Sequence, residues 1–272
     1  MSIANLYIEG KLDFQVLNPI FRGFPLLQRG GTKNSLKPRA LTERKDSKVD
    51  SGYLRDRDFD FKPPIDLLKP TVDYEDGGVP IGWRWCRHEI ENYLIDPAIV
   101  SEAMAWPIPK IEDAIREAAK IIRHYEAARW TIGIVRRELP PHYNLETRPP
   151  SLKGNDIALP AIEILGSCEW ALTNIGEHRT RIAEKANPHT VRTSLNEFTA
   201  FFDDTFIADV NNILLWFSGK DIMAGMANWL VAQNYENPGA FRASLRDWII
   251  DNPERTLELL PEWNCLIEIL RT

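Results

Sequence analysis

The sequence predicts an α/β fold in which a small parallel sheet flanked by helices, over residues 1–95, is followed by a mainly α-helical domain, over residues 96–272. In the first part, short apolar runs alternate with helical patterns, which is typical of parallel strands joined by helical crossovers. In the second part, strand patterns are nearly absent and amphipathic helical segments follow one another.

Four apolar runs in the first part predict strands, around residues 3–8, 25–29, 48–54 and within 81–95. Short runs that are rich in β-branched and aromatic residues and end at glycine or aspartate are typical of buried strands. Apolar residues at helical spacing predict a helix over 11–21, disturbed at Pro19, and a second helix that begins near Pro38. The predicted order is strand, helix, strand, helix, strand, loop, strand.

The second part begins with a predicted long helix, because Ile111, Ile115, Ala118 and Ile122 share one face. A proline-rich stretch over residues 140–156 then predicts a loop, since proline interrupts helices. The segment 157–185 and amphipathic segments near 192–217, 220–233, 239–251 and 254–271 predict the remaining helices. The apolar surface of this region could also form the face of a homodimer.

The composition is that of a globular protein, with 272 residues of which 44% are hydrophobic and 26% are charged. No apolar run approaches the length of a transmembrane helix, and no basic segment followed by an apolar core marks a secretory signal. The three cysteines are widely spaced and form no CxxC pair, which fits a reducing compartment. We therefore expect a cytoplasmic protein with no membrane partner.

The charge is unevenly distributed along the chain. The net charge is -6, yet residues 29–57 contain nine Lys/Arg against four Asp/Glu. Such a basic segment is either a solvated surface or a patch that binds phosphates. If it binds phosphates, Lys33, Lys37 and Arg39 are the candidate nucleic-acid-binding residues.

Acidic residues follow three of the predicted strands. In chain order they are Glu9 and Asp13, then Asp56, Asp58 and Asp60, then Glu89 and Glu91. The carboxyl ends of parallel strands lie at one edge of a sheet, where functional groups gather. Taken singly, each motif has a structural explanation, because aspartate is common in turns and glutamate can cap a helix. Together they predict a site for one or two divalent metal ions.

Mg²⁺ and Mn²⁺ prefer hard oxygen ligands, and a pair of metals can assist an in-line phosphoryl displacement. We assign the predicted ligands to Glu9, Asp13, Asp56, Asp58 and Glu91. Glu9 could alternatively act as a general base. Asp60 and Glu89 are predicted to contact the ligands and hold them in position rather than to bind metal themselves.

The motifs YIEGKLD and YLRDRDFD resemble the Toprim domain, which has a Glu after its first strand and an Asp-x-Asp after its third. Glu9 matches the Glu, and Asp56 and Asp58 match the Asp-x-Asp. The OLD-like branch of Toprim nucleases has a further Asp after the Glu, matched by Asp13, and an acid on the next strand, matched by Glu91. The segment RHEIENYLIDP resembles OLD-like Toprim proteins encoded beside ABC-type ATPases in anti-phage systems such as PARIS.

This resemblance implies a metal-dependent endonuclease that hydrolyses phosphodiester bonds in tRNA, other RNA or DNA with Mg²⁺ or Mn²⁺. The segment WFSGKDIMAGMANWL resembles the one that carries a catalytic Lys in the OLD-like branch, which implies that Lys220 stabilises charge in the transition state. OLD proteins carry an ATPase on the same chain, but no GxxxxGK loop followed by Ser or Thr occurs here.

The missing loop implies that any ABC-type or AAA ATPase partner is a separate protein. The resemblance therefore implies the toxic effector of an anti-phage defence system. The alternative from another class is a non-catalytic Toprim-fold regulatory subunit of an ATPase complex. Two enzymatic alternatives are weaker. Haloacid-dehalogenase phosphatases place the Asp-x-Asp on their first strand, and glycosyltransferases with this motif need a longer nucleotide-sugar domain.

Overall fold

The computed structural model describes residues 3–138, 147, 157–159, 164–177, 183 and 187–271. The chain forms two compact units. The first unit comprises Met1–Arg57, Pro63–Ile108 and Phe241–Thr272, and the second comprises Asp58–Lys62 and Pro109–Ala240. This division differs from the predicted one at residue 95, because a C-terminal segment belongs to the unit that contains the sheet.

The first unit is built on a five-stranded sheet with the strand order β2-β1-β3-β5-β4. The strands are β1 (Asn5–Ile8), β2 (Leu26–Arg29), β3 (Ser51–Arg55), β4 (Thr71–Tyr74) and β5 (Pro80–Arg84). Strands β2, β1, β3 and β5 are parallel, and β4 pairs antiparallel with β5. The predicted α/β class is therefore confirmed, and the predicted parallel sheet has one additional antiparallel strand, β4.

Strand β4 is the element that the sequence prediction missed. It forms a hairpin with β5 through a turn in which Gly77 and Gly78 have φ angles of 97° and 79°. Glycine adopts such angles without steric cost. The motif TVDYEDGG contains both a short strand pattern and this turn signal, so the hairpin could have been read from the sequence.

Helices account for most of the remaining described chain. Before the break in the described residues they are α1 (Lys11–Phe21), α2 (Lys33–Ser47), α3 (Glu91–Leu94), α4 (Pro97–Met104) and α5 (Ile108–Glu138). After it come α6 (Ile164–Glu177), α7 (Pro188–Phe201), α8 (Asp204–Ala208), α9 (Val210–Trp216), α10 (Gly219–Gly225) and α11 (Ala227–Ala232). The last three are α12 (Pro238–Asp251), α13 (Pro253–Leu259) and α14 (Pro261–Arg271). Among the described helices, none combines the length and hydropathy needed to cross a membrane.

Helix α2 begins earlier than the sequence suggested. It starts at Lys33 and contains Pro38 in its interior, whereas the prediction placed its start near Pro38. The hydroxyl of Ser35 donates hydrogen bonds to the carbonyls of Gly30 and Thr32, at 2.8 and 2.6 Å. These bonds stabilise the turn between β2 and α2, so the helix forms directly after the strand.

The C-terminal helix α14 belongs to the first unit because it packs on residues that follow β5. The ring of Trp263 stacks on that of Trp85 with centroids 5.7 Å apart. The buried carboxylate of Glu262 accepts hydrogen bonds from the backbone N–H of Cys86, at 2.7 Å, and from the hydroxyl of Tyr93. Burial raises the pKa of Glu262 above its ordinary value, while these two hydrogen bonds act in the opposite direction.

Candidate metal centre

Glu9 and Asp56 each follow one of two adjacent parallel strands at the centre of the sheet. The register pairs Ile8 of β1 with Leu54 of β3, so Glu9 and Asp56 leave the sheet at the same edge. Neighbouring strands lie about 4.8 Å apart, which keeps the two residues close. Both side chains are half-buried, and the Oε2 atom of Glu9 and the Oδ1 atom of Asp56 are shielded from solvent. This edge carries acidic groups as predicted.

Three carboxylates converge beside this edge. Asp56, Asp58 and Glu89 each place an oxygen atom so that the three atoms lie within 4.8 Å of one another. Asp56 and Asp58 are half-buried and Glu89 is buried. Carboxylates at this separation repel one another, and a cation between them would relieve the repulsion. Their hard oxygen atoms are the donor type that Mg²⁺ and Mn²⁺ prefer, so the residues present fit such an ion.

The backbone at Asp58 brings this residue into the group. Asp58 has a φ angle of 50°, in the left-handed region, and begins a 3₁₀ turn at Asp58–Asp60. Aspartate is one of the few residues other than glycine that adopts this conformation with some frequency. The strand ends at Arg55, so a turn rather than the alternation of side chains along a strand positions the second carboxylate.

Arg57, which the sequence prediction did not assign, lies between the two aspartates and is only 1% exposed. Its Nε atom donates a hydrogen bond of 3.0 Å to the carbonyl of Cys86. A buried guanidinium is stable only when its charge and donors are satisfied. The bond fixes the segment after β3 against the segment after β5, from which Glu89 projects. An arginine between two aspartates after a buried strand was a signal for such a role.

Glu89 and Glu91 have different surroundings, and the metal-binding role of Glu91 stays a prediction. Glu89 belongs to the three-carboxylate group, and its backbone N–H donates to Asn92 Oδ1 at 3.1 Å. Glu91 begins α3, is 2% exposed, and accepts a hydrogen bond from Arg242 at 3.1 Å in an ion pair. Glu89 lies in the bend that precedes α3, whereas Glu91 is the first residue of that helix, so the two side chains start from different local structures.

Asp13 lies in the first turn of α1 and is 8% exposed. Its carboxylate packs so closely on Gly10 that a Cβ at residue 10 would overlap with Asp13 Oδ2. A negative charge at a helix N-terminus is favourable, so this position has a structural explanation. Among the described residues, Asp13 is not in the group of three carboxylates; its metal-binding role stays a prediction.

Asp60 is held by the second unit's long helix. Arg136 of α5 forms an ion pair with Asp60, and Arg137 donates to the carbonyls of Phe59 and Asp60 at 2.9 and 3.0 Å. Asp60 is therefore an anchor of the turn that contains Asp58. The supporting role of Asp60 in a metal site stays a prediction.

Phe59, in the middle of this turn, is buried against the same helix. Its ring meets that of Trp130 edge-on, with centroids 5.2 Å apart, and the Arg129 guanidinium lies 4.2 Å from its centroid. Arg129 also forms an ion pair with Asp221, and its guanidinium lies 3.5 Å from a side-chain oxygen of Glu126. These contacts lie within the second unit and hold the acidic turn on α5.

Lys220 is the second residue of α10 and is half-buried. Ser218 directly precedes α10. Its hydroxyl caps the helix, and its backbone N–H donates a hydrogen bond of 3.1 Å to Glu126 Oε2. Burial raises the pKa of Glu126 well above its ordinary value, Arg129 opposes this shift, and Asp221 adds to it. Lys220 thus lies beside a buried charge network, and its catalytic role stays a prediction.

The three predicted nucleic-acid-binding residues do not form one cluster. Lys33 and Lys37 lie one helical turn apart on α2 and line the same groove of the first unit. Arg39 is exposed and is not among the residues that line this groove. Two residues of separation along a helix place Lys37 and Arg39 on different faces.

No protein-family model matches the chain, and the search of curated proteins found no similar sequence.

Proposed function

We propose that this protein is a Toprim-like nuclease that hydrolyses phosphodiester bonds of RNA or DNA with Mg²⁺ or Mn²⁺. The observation that carries the proposal is the convergence of Asp56, Asp58 and Glu89 at the sheet edge where Glu9 also leaves β1. A Glu after the first strand and an Asp-x-Asp after the third, on adjacent parallel strands, support the Toprim resemblance.

The residues divide into distinct proposed roles. Asp56, Asp58 and Glu89 would hold the metal, and Glu9 would complete the ligand set or accept a proton from the attacking water. A bound divalent metal would polarise the scissile phosphate and lower the pKa of a bound water. Lys220 is the proposed cation that stabilises the negative charge of the transition state.

The resemblance also supports partners for this activity. We propose a separate ABC-type ATPase as the protein that restrains or triggers the nuclease, and an anti-phage effector role for the pair. The competing proposal is a regulatory subunit whose acidic cluster binds metal for structural purposes only. Cleavage that depends on Glu9 would exclude this alternative, because a structural site needs no general base.

The first test is a cleavage assay with Mg²⁺ or Mn²⁺ on total tRNA and on supercoiled plasmid. Wild type, Glu9→Gln, Asp56→Asn and the control Asp50→Asn would be compared. Asp50 is exposed and directly precedes β3, at the opposite end of the strand from Asp56. We expect cleavage by wild type and Asp50→Asn, and a loss of at least about 100-fold in the other two, since metal and acid–base groups contribute about this much.

Lys220 requires its own variant, because loss of activity alone would not separate chemistry from folding. Lys220→Met should reduce cleavage about 100-fold while the melting temperature gained on adding Mn²⁺ stays at its wild-type value. Lys120→Met, on the exposed surface of α5, is the matched control and should cleave normally. If wild type is silent on both substrates, the assay is repeated with the co-purified ATPase partner. Silence in that complex as well would contradict the nuclease proposal.

A further inference from the structure

A groove of about 440 Å³ runs along the first unit beside α2 and β4. Helix α2 contributes Lys33 and Lys37, and strand β3 contributes Tyr53 and Arg55. The remaining lining residues are Asn34, Pro38, Leu41, Asp73 and Tyr74. The groove therefore combines three cationic side chains from two neighbouring elements of the fold.

Asp73 is the only carboxylate among the residues that line the groove, and neighbouring arginines offset its negative charge. It accepts hydrogen bonds from the Tyr53 hydroxyl at 2.7 Å and from Arg55 at 3.0 Å, both to Oδ2. Its Oδ1 atom pairs with Arg84 at 2.9 Å. Two arginines thus offset one carboxylate, and the two lysines on α2 leave the groove with a positive charge. Such a groove attracts anions, above all the closely spaced phosphates of a nucleic acid.

Tyr74 adds an aromatic group at the side of the groove. It is 55% exposed, and Lys37 Nζ donates to its backbone carbonyl at 3.2 Å. An exposed aromatic ring beside cations is the combination with which proteins bind single strands, because bases stack on the ring while cations contact the backbone. A duplex offers no unstacked base for such a contact.

The groove adjoins the carboxylate group through one peptide bond. Arg55 lines the groove, and the next residue, Asp56, belongs to the three carboxylates. Lys33 begins α2, and α2 follows the carboxyl end of β2, so the lysine lies toward the same edge of the sheet. A nucleic-acid strand bound in the groove would therefore reach the three carboxylates at one end.

We propose that the groove formed by Lys33, Lys37, Arg55 and Tyr74 binds a single-stranded stretch of nucleic acid and leads its backbone to the carboxylates. The delivery of the backbone to the carboxylates rests on the proposed nuclease function, but the binding itself requires neither metal nor cleavage. It replaces the predicted trio of Lys33, Lys37 and Arg39 with a set that shares one surface.

The test measures binding of labelled single-stranded RNA and DNA oligonucleotides by fluorescence anisotropy in EDTA, where no cleavage occurs. Lys37→Glu should raise Kd about tenfold and reduce the salt dependence of binding, because a phosphate contact is lost. Tyr74→Ala should raise Kd at least about fivefold through lost stacking. Lys45→Glu makes the same charge change on an exposed residue in the last turn of α2 and should change Kd less than about twofold.

Two outcomes would overturn the groove. One is an equal loss of affinity in Lys37→Glu and Lys45→Glu, which would indicate a general charge effect. The other is binding of a duplex as tightly as a single strand. Because binding in EDTA requires no cleavage, the absence of cleavage by wild type together with intact groove-dependent binding would contradict only the nuclease. Normal cleavage with groove-independent binding would contradict only the groove. Circular dichroism of each variant checks that it is folded.

Discussion

Gly133 of α5 lies directly against the backbone of Phe59. A Cβ atom at residue 133 would lie 2.6 Å from the Phe59 carbonyl oxygen and 2.7 Å from the Phe59 Cβ. Only a residue without a side chain permits this approach. The helix backbone therefore sets the position of the turn from which Asp58 joins the three carboxylates.

Replacing Gly133 by alanine should displace this turn. We expect Gly133→Ala to destabilise the protein by about 1–3 kcal/mol, as overpacking does, and to weaken Mn²⁺ binding. Urea unfolding and a Mn²⁺ titration measure the two effects. Gly176→Ala in α6 is the matched control, since a Cβ there meets no atom within 4 Å. It should be neutral or slightly stabilising, and equal behaviour of the two variants would contradict the prediction.

Metal binding should appear as a gain in thermal stability. Adding Mn²⁺ or Mg²⁺ should raise the melting temperature of wild type, because an ion that binds only the folded state stabilises it. Asp58→Asn should lose most of this gain, and Asp50→Asn, which makes the same charge change on an exposed residue, should keep it. EDTA should return the wild type to its starting value. An identical gain in both variants would remove Asp58 from the ligand set.

Variants of Glu89 and Glu91 should differ in how much Mn²⁺ raises their melting temperature. Glu89→Gln should reduce the stabilisation by Mn²⁺, because Glu89 belongs to the carboxylate group. Glu91→Gln should keep it, because Glu91 is paired with Arg242. The comparison is made between two buried glutamates that are two residues apart in the chain, so general damage would affect both. The reverse result would restore Glu91 as the ligand.

The ion pair between Arg242 and Glu91 should matter for stability. Glu91 is 2% exposed, so Arg242→Ala would remove a cation that pairs with a buried carboxylate and cost about 3 kcal/mol. Arg246→Ala, one turn later on α12, removes an arginine that pairs with the more exposed Asp247. This surface pair should contribute less than about 1 kcal/mol. Chemical denaturation distinguishes the two values, and a small effect of Arg242→Ala would indicate that Glu91 has other support.

Glu126 should make the folded protein less stable as pH rises. Its pKa is raised well above the ordinary value of 4.5, chiefly by burial. Above pH 4.5 the unfolded chain releases this proton while the folded chain retains it, so the free energy of unfolding falls until the folded-state pKa is passed.

The matching experiment follows the free energy of unfolding across this pH range in wild type, Glu126→Gln and the exposed control Glu117→Gln. Glutamine cannot titrate, so the decline should be shallower in Glu126→Gln and unchanged in Glu117→Gln. Parallel curves for wild type and Glu126→Gln would show that Glu126 does not retain its proton in the folded protein.

Much of the fold could be predicted because its signals are local. The runs around Tyr7 and Tyr53 have the composition of buried strands, and residues 11–21 between them have helical spacing. The edge hairpin was missed although Gly77 and Gly78 mark its turn. The pattern of TVDY is short, and its strand forms because β5 supplies the hydrogen bonds. The C-terminal helices were assigned correctly as helices, but their packing beside Trp85 was not readable from their own pattern.

The position of the candidate site in the sheet was predicted from the sequence, but the full set of acids that form it was not. Acidic residues after β1, β3 and β5 were expected at one edge of the sheet, because parallel strands end on the same side. Which of these acids meet was decided elsewhere. Glu91 forms an ion pair with Arg242, which lies 151 residues away in the chain, and Asp60 forms an ion pair with Arg136, which lies 76 residues away. Neither partner can be deduced from the spacing of the acids.

The sequence by itself determined the α/β class, the mostly parallel sheet, the long helix and the edge at which carboxylates gather. Each depends on periodicity or on neighbours within one element. Only the tertiary structure decided that Glu89 rather than Glu91 joins Asp56 and Asp58, and that Lys33 and Lys37 share a groove with Arg55. The physical reason is that a charged side chain settles where distant partners compensate its burial. Those partners are brought close by packing between elements, which no local pattern encodes.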